Sequence, residues 1–171
     1  PILYDNLKLS YKKIAPERSQ HFKNFELDQE IHIELAQLCL KNNIAYSASI
    51  WDETIIDWID PYLSFYKIGS GDLTAYPLLE KIAQKQKPIV LSTGLSSLEE
   101  IREAVKYIES INSFYKKCNN LAILQCTSLY PSADEDVNLN VIKTLTETFK
   151  NPIGYSDHTT GTDALRVAYS M

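Results

Sequence analysis

Lys67 lies at the end of an apolar run, three residues before Ser70 and five before Asp72, in the string Tyr66-Lys67-Ile68-Gly69-Ser70-Gly71-Asp72. An ammonium group is a good point-charge partner for phosphate or carboxylate, and the glycines let backbone pass close to a ligand. Ser92-Thr93-Gly94 and Thr127-Ser128 end two further apolar runs with hydroxyls. Hydroxyls and turn amides hold anions without needing a titrating group. A fourth run ends in Ser156-Asp157-His158-Thr159. His158 could act as a general acid or base, ligate a metal, or be a structural histidine hydrogen-bonded beside Asp157.

Each cluster also has a plainer reading. A lysine at a strand end can snorkel into water, and Ser and Thr are common in turns. The Gly-Ser-Gly turn beside Lys67 and the recurrence of hydroxyls at the same kind of position favour an anion pocket. Asp72, Glu135 and Asp136 could add oxygen ligands. His21 and His32 read as surface residues, and Trp51 and Trp58 as packing groups. Glu99-Glu100 is explained by helix capping. The chain shows no Ser-His-Asp signature, nucleophile elbow, Walker motif or dinucleotide glycine pattern.

The elements that position these groups follow from periodicity. Asp28 can cap a helix in which Ile31, Leu35 and Leu38 recur at helical spacing, ending near Asn42-Asn43. Ile44–Ser49 reads as a strand. Asp52–Ile59 reads as a helix with Ile55, Ile56 and Ile59 inward, stopped by Pro61. Helices are expected from Tyr76 to Lys85, after the Ser97-Leu98-Glu99-Glu100 capping box, from Val141 to Phe149, and from Thr162 onward. Residues 1–25 read as a connecting segment, and Tyr130–Asn138 as an acidic loop. Five strands therefore alternate with helices, and their continuous apolar runs are those of parallel strands covered on both faces. Such a pattern fits either an open doubly wound sheet or a piece of a (β/α)8 barrel.

With 171 residues, 44% of them hydrophobic, the chain suffices for one domain with a sizeable core. A net charge of −5 argues against nucleic acid as a partner, while leaving room for a local phosphate pocket. No apolar run is long enough to span a bilayer and no signal peptide opens the chain, so a membrane partner is not expected. A start at Pro1 suggests a trimmed or partial sequence. Cys39, Cys118 and Cys126 fit no disulfide or metal spacing, and Cys39 and Cys126 read as buried small hydrophobes in a reducing cytoplasm.

At these residues the chain resembles the sialic acid synthase family of phosphoenolpyruvate-condensing enzymes. The motifs are Tyr66-Lys67-Ile68-Gly69-Ser70-Gly71-Asp72, Tyr76-Pro77-Leu78-Leu79 and Lys87-Pro88-Ile89-Val90-Leu91-Ser92-Thr93-Gly94. They continue with Cys126-Thr127-Ser128-Leu129-Tyr130-Pro131, Glu135-Asp136-Val137-Asn138-Leu139 and Gly154-Tyr155-Ser156-Asp157-His158-Thr159, spanning Glu26 to Met171 in order.

The resemblance implies a (β/α)8 TIM barrel, present as an incomplete segment over residues 26–171 that covers strands three to seven. It implies condensation of phosphoenolpyruvate with the open-chain aldehyde of an N-acetylated amino sugar such as N-acetylmannosamine, yielding a sialic-type nonulosonic acid. Water adds at C2 and phosphate leaves by C–O cleavage, with Mn2+ or Mg2+ polarising the aldehyde. By position, Lys67, Ser70, Ser92 and Ser156 would hold phosphoenolpyruvate, joined by Ser128 where many members have Asn. Asp72 and Tyr130 would face the sugar, and His158 would be one metal ligand. Ala48 falls where some members have a ligand-contacting Thr. The family's catalytic glutamate, second metal histidine and C-terminal antifreeze-like domain would lie outside this chain, leaving it inactive alone. The full-length protein would be a cytoplasmic homodimer. Alternatives are another phosphate-binding barrel synthase, an aldolase using Lys67 as Schiff base, or a non-catalytic anion-binding homologue.

Overall fold

Ser97 opens the longest helix among the described residues with both halves of a capping box: its amide donates to Glu100 Oε2 at 2.7 Å and its hydroxyl accepts from the Glu100 amide at 3.3 Å. Local chemistry of this kind fixes where elements start, and burial fixes what they pack against. The computed structural model describes residues 27–171. The leading segment over residues 1–25 and His21 lie outside the described residues. The chain divides into two compact units, one ending at Tyr66 and the other running from Lys67 to Met171.

In the first unit, helix α1 (Gln29–Lys41) begins where Asp28 Oδ1 accepts the Ile31 amide at 2.9 Å. Its apolar stripe is not its buried face. Ile31, Leu35 and Leu38 are 36–55% exposed, whereas His32 and Ala36 are buried. The expected surface residue His32 instead packs edge-on against Tyr46 and Trp58, with Nδ1 2.5 Å from the Tyr46 hydroxyl. A three-residue turn (Glu53–Ile55), capped by Asp52, leads into helix α2 (Ile56–Ile59). Ile55, Ile56 and Ile59 are buried as the pattern predicts. Pro61 does not end the helical path: it sits early in a further 3-10 turn (Asp60–Tyr62), where its missing N–H costs little.

The expected strand Ile44–Ser49 is reduced to isolated bridges at Ser49 and Ile50. Ser64 donates its amide to the Tyr46 carbonyl at 2.9 Å, and Ser47 Oγ donates to the Phe65 carbonyl at 2.9 Å. Those contacts are too sparse to make a ladder.

The second unit is built on the sheet. Strands β2 (Ile89–Ser92), β3 (Leu121–Cys126) and β4 (Ile153–Ser156) lie wholly within it, and β1 (Tyr66–Ile68) contributes Lys67 and Ile68. The order is β1-β2-β3-β4, with β2 parallel to β3 and β3 parallel to β4. Helices α3 (Tyr76–Gln84), α4 (Leu98–Ile111), α5 (Val141–Thr148) and α6 (Asp163–Tyr169) alternate with the strands. Leu79, Ile82, Ile89, Leu91, Ile108, Leu121 and Ile123 are almost wholly buried, each worth roughly 1.5–3 kcal/mol.

Strand order that follows chain order, with helices between, brings the carboxyl ends of the strands to one edge. No further strand pairs with β4 among the described residues, and all four of its residues are only half-buried. Beside it runs an apolar groove of about 840 Å3 whose lining includes Ile142, Ile153, Leu165 and Tyr169. No helix among the described residues is long and apolar enough to cross a membrane.

Candidate active site

The apolar runs place Ile68, Ser92, Cys126 and Ser156 as the last residues of β1 to β4. Ser92 pairs with Leu124, and Cys126 with Ser156, so the polar residues after them emerge side by side. Lys67 reaches across this edge, donating to Ser92 Oγ at 2.7 Å and to the Ile68 carbonyl at 2.9 Å. Ser92 itself is buried.

Gly94 marks a second convergence. Its amide donates to Ser70 Oγ at 2.9 Å. A β-carbon added there would stand 2.4 Å from Ser128 Oγ, 2.9 Å from the Cys126 carbonyl and 3.0 Å from Ser70 Oγ. Turns after three successive strands therefore meet at one glycine, and only a residue without a side chain fits between them. The arrangement clusters hydroxyls beside an ammonium group, a combination suited to a phosphate or carboxylate.

Asp72 and Lys67 influence each other electrostatically, yet burial dominates both. Burial pushes the Asp72 carboxyl up to about 6 despite the nearby ammonium. It also pulls the Lys67 ammonium below its ordinary value, against the opposing pull of Cys126 and Asp72.

The His158 ring is fixed by a backbone group, while Asp157 accepts from the His158 main-chain amide. The ring Nδ1 lies 2.6 Å from the Thr127 carbonyl. A carbonyl only accepts, so Nδ1 carries the proton, and a neutral ring then presents Nε2 as a lone-pair donor. Cys126 Sγ lies 3.8–3.9 Å from both ring nitrogens, and the Tyr130 ring stacks on the imidazole at 3.9 Å between centroids. Asp157 serves the loop instead, accepting from the Tyr155 hydroxyl and the Thr159 amide. Burial tends to raise Asp157, but these bonds hold it below its usual range. For Tyr155, burial and then the bond to Asp157 push its hydroxyl up to about 12.

Of the residues singled out in the sequence, Lys67 and Ser92 are joined directly, Ser70 and Ser128 meet at Gly94, Asp72 lies within electrostatic reach of Lys67, and His158 stacks with Tyr130. Ser156 enters by register with Cys126. Cys126 is buried as expected, while Cys39 is only partly so. Glu135 and Asp136 are exposed, and no group of three or more metal-ligating side chains forms among the described residues. His158 Nε2 thus suits one position of a metal site, and nothing in the described set completes it. Sequence reasoning missed the Gly94 amide, the Thr127 carbonyl and Ser132. The Ser-Thr-Gly string could have signalled Gly94, but a carbonyl acceptor leaves no trace in residue types.

The sequence matches the NeuB family over residues 5–171. The chain belongs to the NeuB family. It is 38% identical to the N,N'-diacetyllegionaminic acid synthase of Legionella pneumophila over 161 residues, 90% of this chain and 44% of that protein. A solved sialic acid synthetase from Leptospira borgpetersenii, in complex with citrate, superposes with a TM-score of 0.82 at 28% identity, covering 93% of this chain and 55% of that one. A truncated 3-deoxy-D-arabino-heptulosonate 7-phosphate synthase from Thermotoga maritima shares the fold alone, with a TM-score of 0.67 at 16% identity, covering 78% of this chain and 51% of its own. The NeuB chain is therefore a segment of a TIM barrel rather than an open doubly wound sheet. It spans 40–44% of the length of the first curated relatives it matches.

Proposed function

We propose that the intact protein condenses phosphoenolpyruvate with the open-chain aldehyde of an N-acylated amino sugar, forming a nonulosonic acid and inorganic phosphate. The observation that carries this reading is the meeting of the Lys67 ammonium with Ser92 and of Ser70 with the Gly94 amide and Ser128, at the carboxyl edge of a NeuB-family sheet. Lys67 and the hydroxyls of Ser70, Ser92, Ser128 and Ser156 would hold the phosphate and carboxylate. Fixing both reactants in line supplies much of the rate in a two-substrate condensation. Asp72 and Tyr130 would bound the sugar side, and His158 Nε2 would ligate Mn2+ or Mg2+. The metal, when bound, would polarise the aldehyde oxygen.

In this reading the new bond joins C3 of phosphoenolpyruvate to the aldehyde carbon, water supplies the C2 oxygen, and the bridging oxygen departs with phosphate. No residue of this chain is assigned the proton transfers, so residues 26–171, as barrel strands three to seven, do not turn over alone. The same reading has the intact protein act as a cytoplasmic homodimer. The Schiff-base alternative gains from the lowered Lys67 pKa, but two hydrogen bonds donated by Nζ favour the ammonium form.

The test is a panel of N-acyl amino sugars, including N-acetylmannosamine, incubated with the intact protein, phosphoenolpyruvate and Mn2+. Sugar-dependent phosphate release supports the proposal. Absence of release with every sugar, together with saturable phosphoenolpyruvate binding, favours a non-catalytic anion-binding homologue. Borohydride trapping of a carbonyl substrate on Lys67 favours the aldolase.

A further inference from the structure

The loop after β3 carries the aromatic ring of the site, and the turn after β4 carries its imidazole. Ser132, to which the proposed chemistry gives no role, joins the two. It is 5% exposed, although Leu129, Tyr130 and Ala133 in the same loop face water. Its amide donates to the His158 carbonyl at 2.9 Å. Its hydroxyl donates to the Leu129 carbonyl at 3.0 Å, with the Thr127 carbonyl a longer alternative at 3.4 Å. That same Thr127 carbonyl takes the His158 ring proton, while the Thr127 hydroxyl is tied to the Asp136 carbonyl at 2.9 Å. One buried serine thus connects the backbone that orients the imidazole with the backbone that carries Tyr130.

We propose that Ser132 is a positioning residue: its hydroxyl, bonded to the Leu129 carbonyl with Thr127 as alternative, holds the 127–132 loop in the shape that stacks the Tyr130 ring on the imidazole and aims the Thr127 carbonyl at Nδ1, while the amide tie to the His158 carbonyl is one that any residue there but proline would supply. It acts through His158 without touching substrate. Outer partners that orient a ligating histidine are typically worth 10- to 100-fold in metal affinity. The inference rests on the reading of His158 as a ligand, and its test separates the two.

The test compares Ser132→Ala with Ser132→Thr, which restores a hydroxyl, and with Ser132→Cys, which keeps the volume but has only a weak donor. In the intact protein, the ring-nitrogen resonances of His158 report its tautomer, and paramagnetic resonance of unbound Mn2+ reports metal affinity. The expected result is a mixed tautomer and about 10-fold weaker Mn2+ binding in Ser132→Ala, substantial recovery in Ser132→Thr, and unchanged sulfate affinity at Lys67. A folded Ser132→Ala with wild-type tautomer and wild-type Mn2+ affinity overturns the inference. Should Ser132→Ala not fold, Ser132→Cys decides by the same readouts. Should the wild type bind no Mn2+, the metal reading fails on its own, and the tautomer comparison still decides the role of Ser132.

Discussion

The Lys67 ammonium donates to the Ser92 hydroxyl at 2.7 Å, across neighbouring strands and 25 positions of sequence. Lys67 also donates to the Ile68 carbonyl, so its head is held at the sheet edge rather than extended into water. Replacing it with Met keeps much of the stem and removes the charge. Loss of a hydrogen-bonded charge partner typically costs about 2–5 kcal/mol, so Lys67→Met should raise KM for phosphoenolpyruvate by roughly 30-fold or more. Steady-state phosphate release against phosphoenolpyruvate concentration checks this, and a KM within threefold of wild type contradicts the role given to Lys67.

Gly94 has no room for a methyl group. The Cys126 carbonyl, 2.9 Å from the added carbon, belongs to the backbone and cannot rotate away. Gly94→Ala should therefore lose about 1–3 kcal/mol of stability and weaken anion binding together. Gly71→Ala is the matched control, because nothing lies within 4 Å of its added carbon. Its urea midpoint should stay near wild type, within about 0.5 kcal/mol.

Asp72 gives the protein a signed pH dependence. Its folded pKa of about 6 lies above its ordinary 3.8, so between these values the folded state binds more protons than the unfolded state. Its contribution to stability therefore falls as pH rises from about 4 to about 6, and levels off on either side. Urea unfolding across that range should show this decline in wild type relative to Asp72→Asn. A difference between the two proteins that stays flat with pH would contradict the buried carboxyl.

The Ser97 cap supplies a test of the fold independent of the site. Ser97→Ala removes the acceptor for the Glu100 amide, so the start of α4 should weaken by about 1 kcal/mol. Ser97→Thr should retain most of the stability, because its hydroxyl can likewise accept from the Glu100 amide and donate to the Glu100 carboxylate. Thermal melting distinguishes the two variants.

Local rules explain why some of this structure was legible in the sequence. The capping box, the inward Leu79 and Ile82 of α3 and the buried Ile101 and Ile108 of α4 follow from spacing alone. Helix α1 shows where such reasoning stops. Its stripe of Ile31, Leu35 and Leu38 was real as a pattern, yet spacing does not say which surface covers a stripe, and His32 took the buried side. Ile44–Ser49 had strand composition, but among the described residues no ladder forms along it. At the site, strand ends exposed Lys67, Ser92 and His158 to view because side-chain types are visible. The Thr127 carbonyl and Gly94 amide were not, because every residue carries those groups and only folding makes two of them special.

The condensation itself is tested most directly by phosphoenolpyruvate carrying 18O in the bridging position. The intact protein, given this substrate with an N-acyl amino sugar and Mn2+, should release phosphate that retains the label, seen as an isotope shift in its phosphorus resonance. Unlabelled phosphate, formed by attack at phosphorus, would contradict condensation through C–O cleavage.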